Sequence, residues 1–571
     1  MGKYYKYIAP SVFVVFCLSL TPWAYNFPLN DDWTYAIGVK NFLEQGRFVL
    51  CGLAASTQLT HIFSGALFAK IFGFSFTTLM AYNLTFATLL VFVFFRILEE
   101  FDLEPFERML AALTFCLNPL FLILANSFMT EITYMFWMLS ASYFYIRHFN
   151  GAKPQGRSNR ALAGAGLCAA AACLTRQLGI ALPLAYTLTL AWEHGGNRRA
   201  ASRSKPDLSA GLFGGKTLVL IWLFPLTAIA GHALWFKYVH GPTWASENYV
   251  FNATLKYLSS PGAFASTSLY RLFAVMMETG LLLLPPAAGY YFFIGRSQTK
   301  NSLRKKAAAK LSGSAPPGAR RGWTWFTLAV LAGFIFMNGP LPYLENTVSG
   351  TGLGVFTLGG GSLKPSAFFS SPYFWYAITA LAAFSAAILI SASRLTLRAG
   401  GAAARFMFIS AAAHLAISFV GAKFFDRYLL NLLPWFILAA IFAAKGVRFS
   451  RPAAASALVL MAAVSWAGVK DYLQWNRAKW ELASKSRPDL PANEIAAGFD
   501  YNGWLSYEKN MAYLRTLKPL KLIGEWEWQQ VTPYKAVISY DRRPGLIIID
   551  QQEYDTPLSS RKGVIYLQRA K

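Results

Sequence analysis

Asp31 and Asp32 form a like-charged pair in Pro28-Leu29-Asn30-Asp31-Asp32-Trp33, directly after the apolar run 8–25. Two carboxylates at a membrane boundary carry a desolvation cost and repel each other, so stability does not explain them. One Asn or Asp would cap the helix beginning at Trp33; three polar residues in a row exceed that need. Glu131, in Asn126-Ser127-Phe128-Met129-Thr130-Glu131, opens a later apolar segment and alone reads as a first-turn acid behind a Thr130 cap. Arg176, in Leu174-Thr175-Arg176-Gln177, sits at a tight turn between two apolar segments, where a snorkelling arginine is the plainer account. Lys423, Asp426 and Arg427 gather just before the apolar segment 428–444. Taken together, a carboxylate can accept a proton from a hydroxyl, and Arg or Lys can neutralise a departing phosphate. Arg also has the fork geometry to grip phosphate oxygens in pairs. That is the chemistry of transfer from an anionic lipid.

The elements that must position these residues are membrane helices. The chain has 571 residues, 55% of them hydrophobic, and repeated apolar runs of roughly 17–25 residues match a bilayer core of about 30 Å. Such segments must be helices, because no water is available there to satisfy an open backbone. The net charge of +26 does not imply nucleic acid: the basic residues cluster in short loops between apolar runs, as in cytoplasmic loops. These include Arg147 to Arg160, Arg198 to Lys205, Arg296 to Arg321, Arg394 to Arg405, and Lys445 to Arg451. Lys3 and Lys6 place the N-terminus in the cytoplasm. The first segment ends in Thr21-Pro22-Trp23, without a small-residue cleavage site, and is expected to be an anchor rather than a removed leader. Only Cys51 of the five cysteines falls in an external loop, so no disulfide framework is expected.

Counting 56–73 as a span would put the basic loops outside. The segments 33–48 and 56–73 are therefore read as amphipathic helices lying on the outer surface. The expected fold is an all-α polytopic membrane protein of about 13 transmembrane helices over 1–469, with a first outer loop at 26–75. A small soluble α/β domain follows at 470–571 on the extracytoplasmic side. Strand-like runs at 535–540, 545–550 and 563–567 flank turn chemistry at Asp541-Arg542-Arg543-Pro544. Trp475, Trp480, Trp504, Trp526 and Trp528 serve either a sugar surface or, more simply, a core. All the unusual polar residues fall on the outer side. The long loop 340–372, with Tyr343 and Glu345 at its root and a glycine run at 359–361, is expected to be a flap over an acceptor.

The order and common sidedness of these features resemble the glycosyltransferase-C superfamily, in the branch of the protein O-mannosyltransferases and the lipid A aminoarabinose transferase. Asn30-Asp31-Asp32-Trp33-Thr34-Tyr35-Ala36 resembles that family's first acidic motif, and Ile71-Phe72-Gly73-Phe74-Ser75 the stretch after its surface helices. Met129-Thr130-Glu131 falls where a second acid is expected, and Leu174-Thr175-Arg176-Gln177 resembles a basic turn usually occupied by lysine. Asp426-Arg427-Tyr428-Leu429-Leu430 with Pro434 is similar to a later family segment. Thr57-Gln58-Leu59-Thr60-His61 stands where the family usually has Pro-Pro, which leaves acceptor specificity open.

The resemblance implies an inverting glycosyltransferase of the inner membrane that moves a sugar from a polyprenyl-phosphate donor to a hydroxyl on a glycan, lipid or protein. It implies Asp31, Asp32 and Glu131 as catalytic carboxylates, Asp31 being the base, and Arg176, Lys423 and Arg427 as donor-phosphate ligands. Some relatives bind a divalent cation, for which Asp32 and Glu131 would be the ligands; His61 is another candidate, though an interface histidine is the commoner case. A monomer among membrane lipids, with no nucleic acid, is expected. An oligosaccharide ligase or polymerase is the alternative, against which six histidines count. A transporter would bury charges at mid-membrane and show an inverted repeat, and neither is evident in the sequence.

Overall fold

The computed structural model describes residues 4–151, 159–200, 215–291, 317–344, 346–349, 352–358, 371–399, 401–444, 449–557 and 562–571. The expected basic stretches in 152–158, 201–214, 292–316 and 445–448 lie outside these, as do Glu345 and the 359–361 glycine run.

The protein is an integral membrane protein built mainly of helices. Among the described residues, six are long and apolar enough to cross a bilayer: Tyr5–Ala24, Phe76–Glu99, Gly215–His240, Pro372–Ile390, Gly401–Val420 and Arg451–Ser484. Two bent pairs, Pro105–Cys116 with Pro119–Ala125 and Pro261–Leu282 with Leu284–Tyr290, raise the number to eight if each is one span. The 59° bend of the first pair follows from Asn118-Pro119, since proline disfavours a helical residue before it. The Asn118 side chain accepts from the Phe121 amide and restarts the helix.

The first loop carries helices Asp32–Gln45 and Leu59–Phe72. The second shows one apolar face outward (Phe63, Leu67, Ile71) and packs Gly65 and Ala69 inward; a Cβ on Gly65 would sit 2.9 Å from the Phe128 ring. The first is buried around its whole circumference from Asp32 to Val39, because the Leu59–Phe72 and Phe499–Leu517 helices both pack against it.

The Arg451–Ser484 helix runs unbroken for 34 residues. Beyond it, strands Ile495–Ala496, Ala536–Ser539, Gly563–Ala570 and Leu546–Tyr554 pair in that order. The first pair is parallel and the others antiparallel. Helix Phe499–Leu517 lies between the first two strands in sequence. The tryptophans of this region are mostly packed inward. Trp475 and Trp528 are buried, Trp480 stacks on Phe27 at 5.9 Å, and Trp504 stacks on Phe74 at 6.3 Å, whereas Trp526 is half exposed.

Candidate active site

Four of the residues singled out in the sequence meet at one place. Arg427 donates to the Asp31 carboxylate at 3.0 Å, and its Nε lies 3.4 Å from Glu131. Arg176 reaches the same Glu131 oxygen at 2.8 Å. Glu131 is fully buried, and Arg176 and Arg427 nearly so, so each charge is balanced by its neighbours rather than by water. Both guanidiniums also lie against Tyr428, at 5.2 Å from Arg176 and 5.9 Å from Arg427.

Each member is set by a local break in the helices. Asp31 is the residue before the Asp32–Gln45 helix but its side chain makes no cap bond; it turns to Arg427 instead. The preceding Asn30 has φ 49°, a left-handed position that Asn tolerates better than most residues. Asp32 accepts from the Leu29 amide at 3.2 Å, which fixes the Leu29–Asn30–Asp31 turn. Burial raises its carboxyl well above the usual aspartate range, with Asp31 and Glu131 adding to the rise and backbone bonds from Phe128 and Leu29 opposing it. Of the two aspartates, Asp31 is therefore the one that faces a cation and solvent, with a side chain 27% exposed.

Glu131 stands in the first turn of helix Thr130–Asn150, capped at Met129 without a side-chain bond, so Thr130 is not the cap. Asn83 ties the preceding turn by donating to the Leu124 and Ser127 carbonyls at 2.9 and 2.7 Å. Arg176 follows helix Asn159–Thr175. Its turn is tight at Gly179, where a Cβ would stand 2.5 Å from the Cys173 amide nitrogen. Arg427 lies in the 3-10 turn Asp426–Asn431. The loop before it is held by Arg271, which donates to the carbonyls of Gly421 and Ala422 at 2.8 and 2.6 Å.

Asp426 faces away from Arg427's partners and accepts from the amides of Thr347 and Val348 at 2.5 and 2.7 Å. Glu278 accepts from the Leu344 amide at 3.3 Å. Arg271, Glu278 and Asp426 thus hold loop backbone and were not assigned roles from sequence. The signal for the first two was present: an arginine and a glutamate inside an otherwise apolar helix. They are buried charges of the kind a transporter would show, but their partners are loop amides and carbonyls.

The remaining candidates stand elsewhere. Lys423 is exposed on the loop ahead of the Asp426–Asn431 turn. Tyr343 is buried and shares a 2.8 Å hydrogen bond with Thr379; Glu345 lies outside the described residues. His61 is buried between Thr133 and the Phe128 carbonyl, at 2.9 and 3.3 Å, which is the role of a packed histidine. Among the described residues no group of three or more His, Cys, Asp or Glu is placed to hold a metal ion. Glu131 is neutralised by two guanidiniums and Asp32 is buried with a raised affinity for a proton. This donor set does not fit a divalent cation.

A narrow hollow opens beside the cluster, lined by Leu29, Asn30, Ser127, Met129, Asn346, Thr347, Arg427 and Tyr472 among others. Thr347 and Val355, which flank the hairpin of Val348–Ser349 and Gly352–Leu353, both line it.

No protein-family model matches the chain, and neither does any curated protein. It is similar to several solved structures, each at low identity. ArnT from Cupriavidus metallidurans bound to undecaprenyl phosphate aligns over 97% of both chains, with 12% identity and a TM-score of 0.41. The archaeal oligosaccharyltransferase AglB from Archaeoglobus fulgidus, in complex with an inhibitory peptide and a dolichol-phosphate, aligns over 91% of this chain and 61% of its own, with 13% identity and a TM-score of 0.37. The S. cerevisiae protein O-mannosyltransferase Pmt1-Pmt2 complex bound to the sugar donor aligns over 45% of this chain and only 37% of its own, with 11% identity and a TM-score of 0.35.

Proposed function

We propose that this protein is an inverting glycosyltransferase that moves a sugar from a polyprenyl-phosphate donor to a hydroxyl of a glycan, lipid or protein at the outer face of the inner membrane. The observation that carries this reading is the Asp31–Arg427–Glu131–Arg176 cluster, one solvent-reaching carboxylate bonded to a guanidinium within a chain of apolar helices. Its motif order is the one that resembles the glycosyltransferase-C superfamily.

In this mechanism Arg427 and Arg176 bind the donor phosphate oxygens. Asp31 takes the proton from the acceptor hydroxyl as its oxygen attacks the anomeric carbon, and the polyprenyl phosphate leaves from the opposite face with the bonding electron pair. The guanidiniums neutralise the charge that develops on the leaving phosphate. Asp32 holds the turn that carries Asp31, by accepting from the Leu29 amide. Because Asp31 and the donor phosphate compete for Arg427, donor binding would free the carboxylate to act as base. The protein acts as a monomer with its N-terminus cytoplasmic and residues 470–571 outside.

The test is incubation of the purified protein with radiolabelled polyprenyl-phosphate sugars and candidate acceptors, comparing the wild type with Asp31→Asn and Glu131→Gln. Transfer by the wild type, lost in Asp31→Asn, supports the reading; wild-type rates in both variants overturn the assigned roles.

A further inference from the structure

The residue after the acidic pair is gripped by the far end of the chain. Trp33 is completely buried, and its indole N–H has no hydrogen-bond partner, so packing alone holds it. Its ring meets Phe499, Tyr507 and Trp528 at centroid distances of 5.4, 5.1 and 5.9 Å. The closest seat is Gly503, where a Cβ would stand 2.3 Å from the indole. No side chain but hydrogen fits there unless the ring or the Phe499–Leu517 helix moves.

The same helix face is also tied to the segment that follows the hairpin. Asp500, Gly503 and Tyr507 are spaced three and four residues apart and so share one face. Asp500 forms a fully buried ion pair with Lys479 at 2.6 Å, and Lys479 also donates to Thr357 at 2.8 Å. The Phe499 amide donates to the Thr357 carbonyl at 2.9 Å. Thr357 ends the segment that begins with Leu353, packed on Gly468, and Gly354, packed on Tyr472. One helix therefore touches both the helix that begins at Asp32 and Thr357, two residues past Val355 in the lining of the hollow.

We propose that the Phe499–Leu517 helix positions the acidic pair, with Gly503 and Trp33 as positioning residues: the seat of the indole on Gly503 sets where Asp31 and Asp32 stand relative to Arg427. Residues 499–517 thereby belong to the working site rather than to an independent appendage. The activity readout rests on the glycosyl-transfer reading above, whereas the exchange readout does not.

The experiment uses the full chain in detergent micelles, comparing wild type with Gly503→Ala, Trp33→Phe and the double variant. Amide hydrogen exchange is followed across residues 29–36, together with the thermal midpoint. In Gly503→Ala, exchange in 29–36 is expected to rise roughly ten-fold while distant helices keep their protection. With a donor that turns over, kcat falls roughly ten- to a hundred-fold, as small misplacements of a reacting group do, while donor KM changes by less than about two-fold. The smaller ring of Trp33→Phe makes room for the added methyl, so the double variant recovers part of the lost kcat. Unchanged exchange across 29–36 in Gly503→Ala overturns the proposal, as does a loss of kcat that Trp33→Phe does not relieve. Should Gly503→Ala fail to fold, Trp33→Phe alone removes the seat without a clash and carries the same exchange test. If the wild type turns over no donor, the glycosyl-transfer reading fails by itself and the exchange comparison still decides the positioning role.

Discussion

Arg427 bonds to Asp31 at 3.0 Å across 396 positions of sequence and lies 3.4 Å from Glu131 with the same guanidinium. A single cation is thus shared between the proposed base and a second, deeper acid. Asp31→Asn keeps the shape and an oxygen for Arg427 but cannot take a proton. It is expected to lower transfer by roughly 10²–10⁴-fold with donor binding retained, measured as separate kcat and donor KM values.

Glu131→Gln acts differently, because Glu131 is enclosed between two guanidiniums. Removing its charge leaves Arg176 buried without its anion, which costs about 3–5 kcal/mol in comparable buried pairs. The expected result is a lowered thermal midpoint together with lost transfer. An intact midpoint would show that Arg176 finds another partner.

Arg176→Lys keeps the positive charge but loses the planar fork and its face-on contact with Tyr428. Donor KM is expected to rise roughly ten-fold, about 1.4 kcal/mol, with a smaller change in kcat. Titration with polyprenyl phosphate alone, followed by its protection of the protein against heat, checks the binding part separately.

Asp426 supplies a pH dependence. Burial pushes its carboxyl up to about 6, against the Thr347 and Val348 amides, which favour the charged form. A carboxyl raised in the folded state adds stability that is present below its unfolded value of 3.8 and is lost as the pH rises through about 6. The wild type is therefore expected to lose relative stability between about pH 4 and pH 6, and Asp426→Asn, which cannot ionise, to lose less. Thermal melts of both proteins from pH 4 to 7 measure the difference.

The Lys479–Asp500 pair has no exposed surface on either side chain. Asp500→Asn leaves a buried ammonium and is expected to cost about 3–5 kcal/mol, whereas replacing both partners, as in Lys479→Met with Asp500→Leu, recovers much of it. Chemical unfolding of the single and double variants gives the comparison.

The charged half of the site was legible in sequence because its members break rules locally. Asp31, Glu131, Arg176 and Arg427 are charges at the ends of apolar segments, where one capping or snorkelling residue would have sufficed. Arg271 and Glu278 broke the same rule in the middle of an apolar helix, and the count of loop charges alone passed over them. Gly503 and Trp33 could not have been joined from sequence, since neither a glycine within a polar helix nor a tryptophan after an acid says what it touches. Lys423 shows the opposite failure: it has the right charge in the right neighbourhood of sequence, but its side chain is exposed while Arg427, four residues on, is drawn inside.

The distance along the chain between Asp31 and Arg427 also sets a schedule. A ribosome adding about 5–20 residues per second needs roughly 20–80 s to travel those 396 positions. During that time Asp31 has been made and its arginine does not yet exist. A chain cut short in the interval carries Asp31 without its arginine, while Glu131 keeps only Arg176 once residue 176 is made. Completion of the Asp426–Asn431 turn is then the event that neutralises the site.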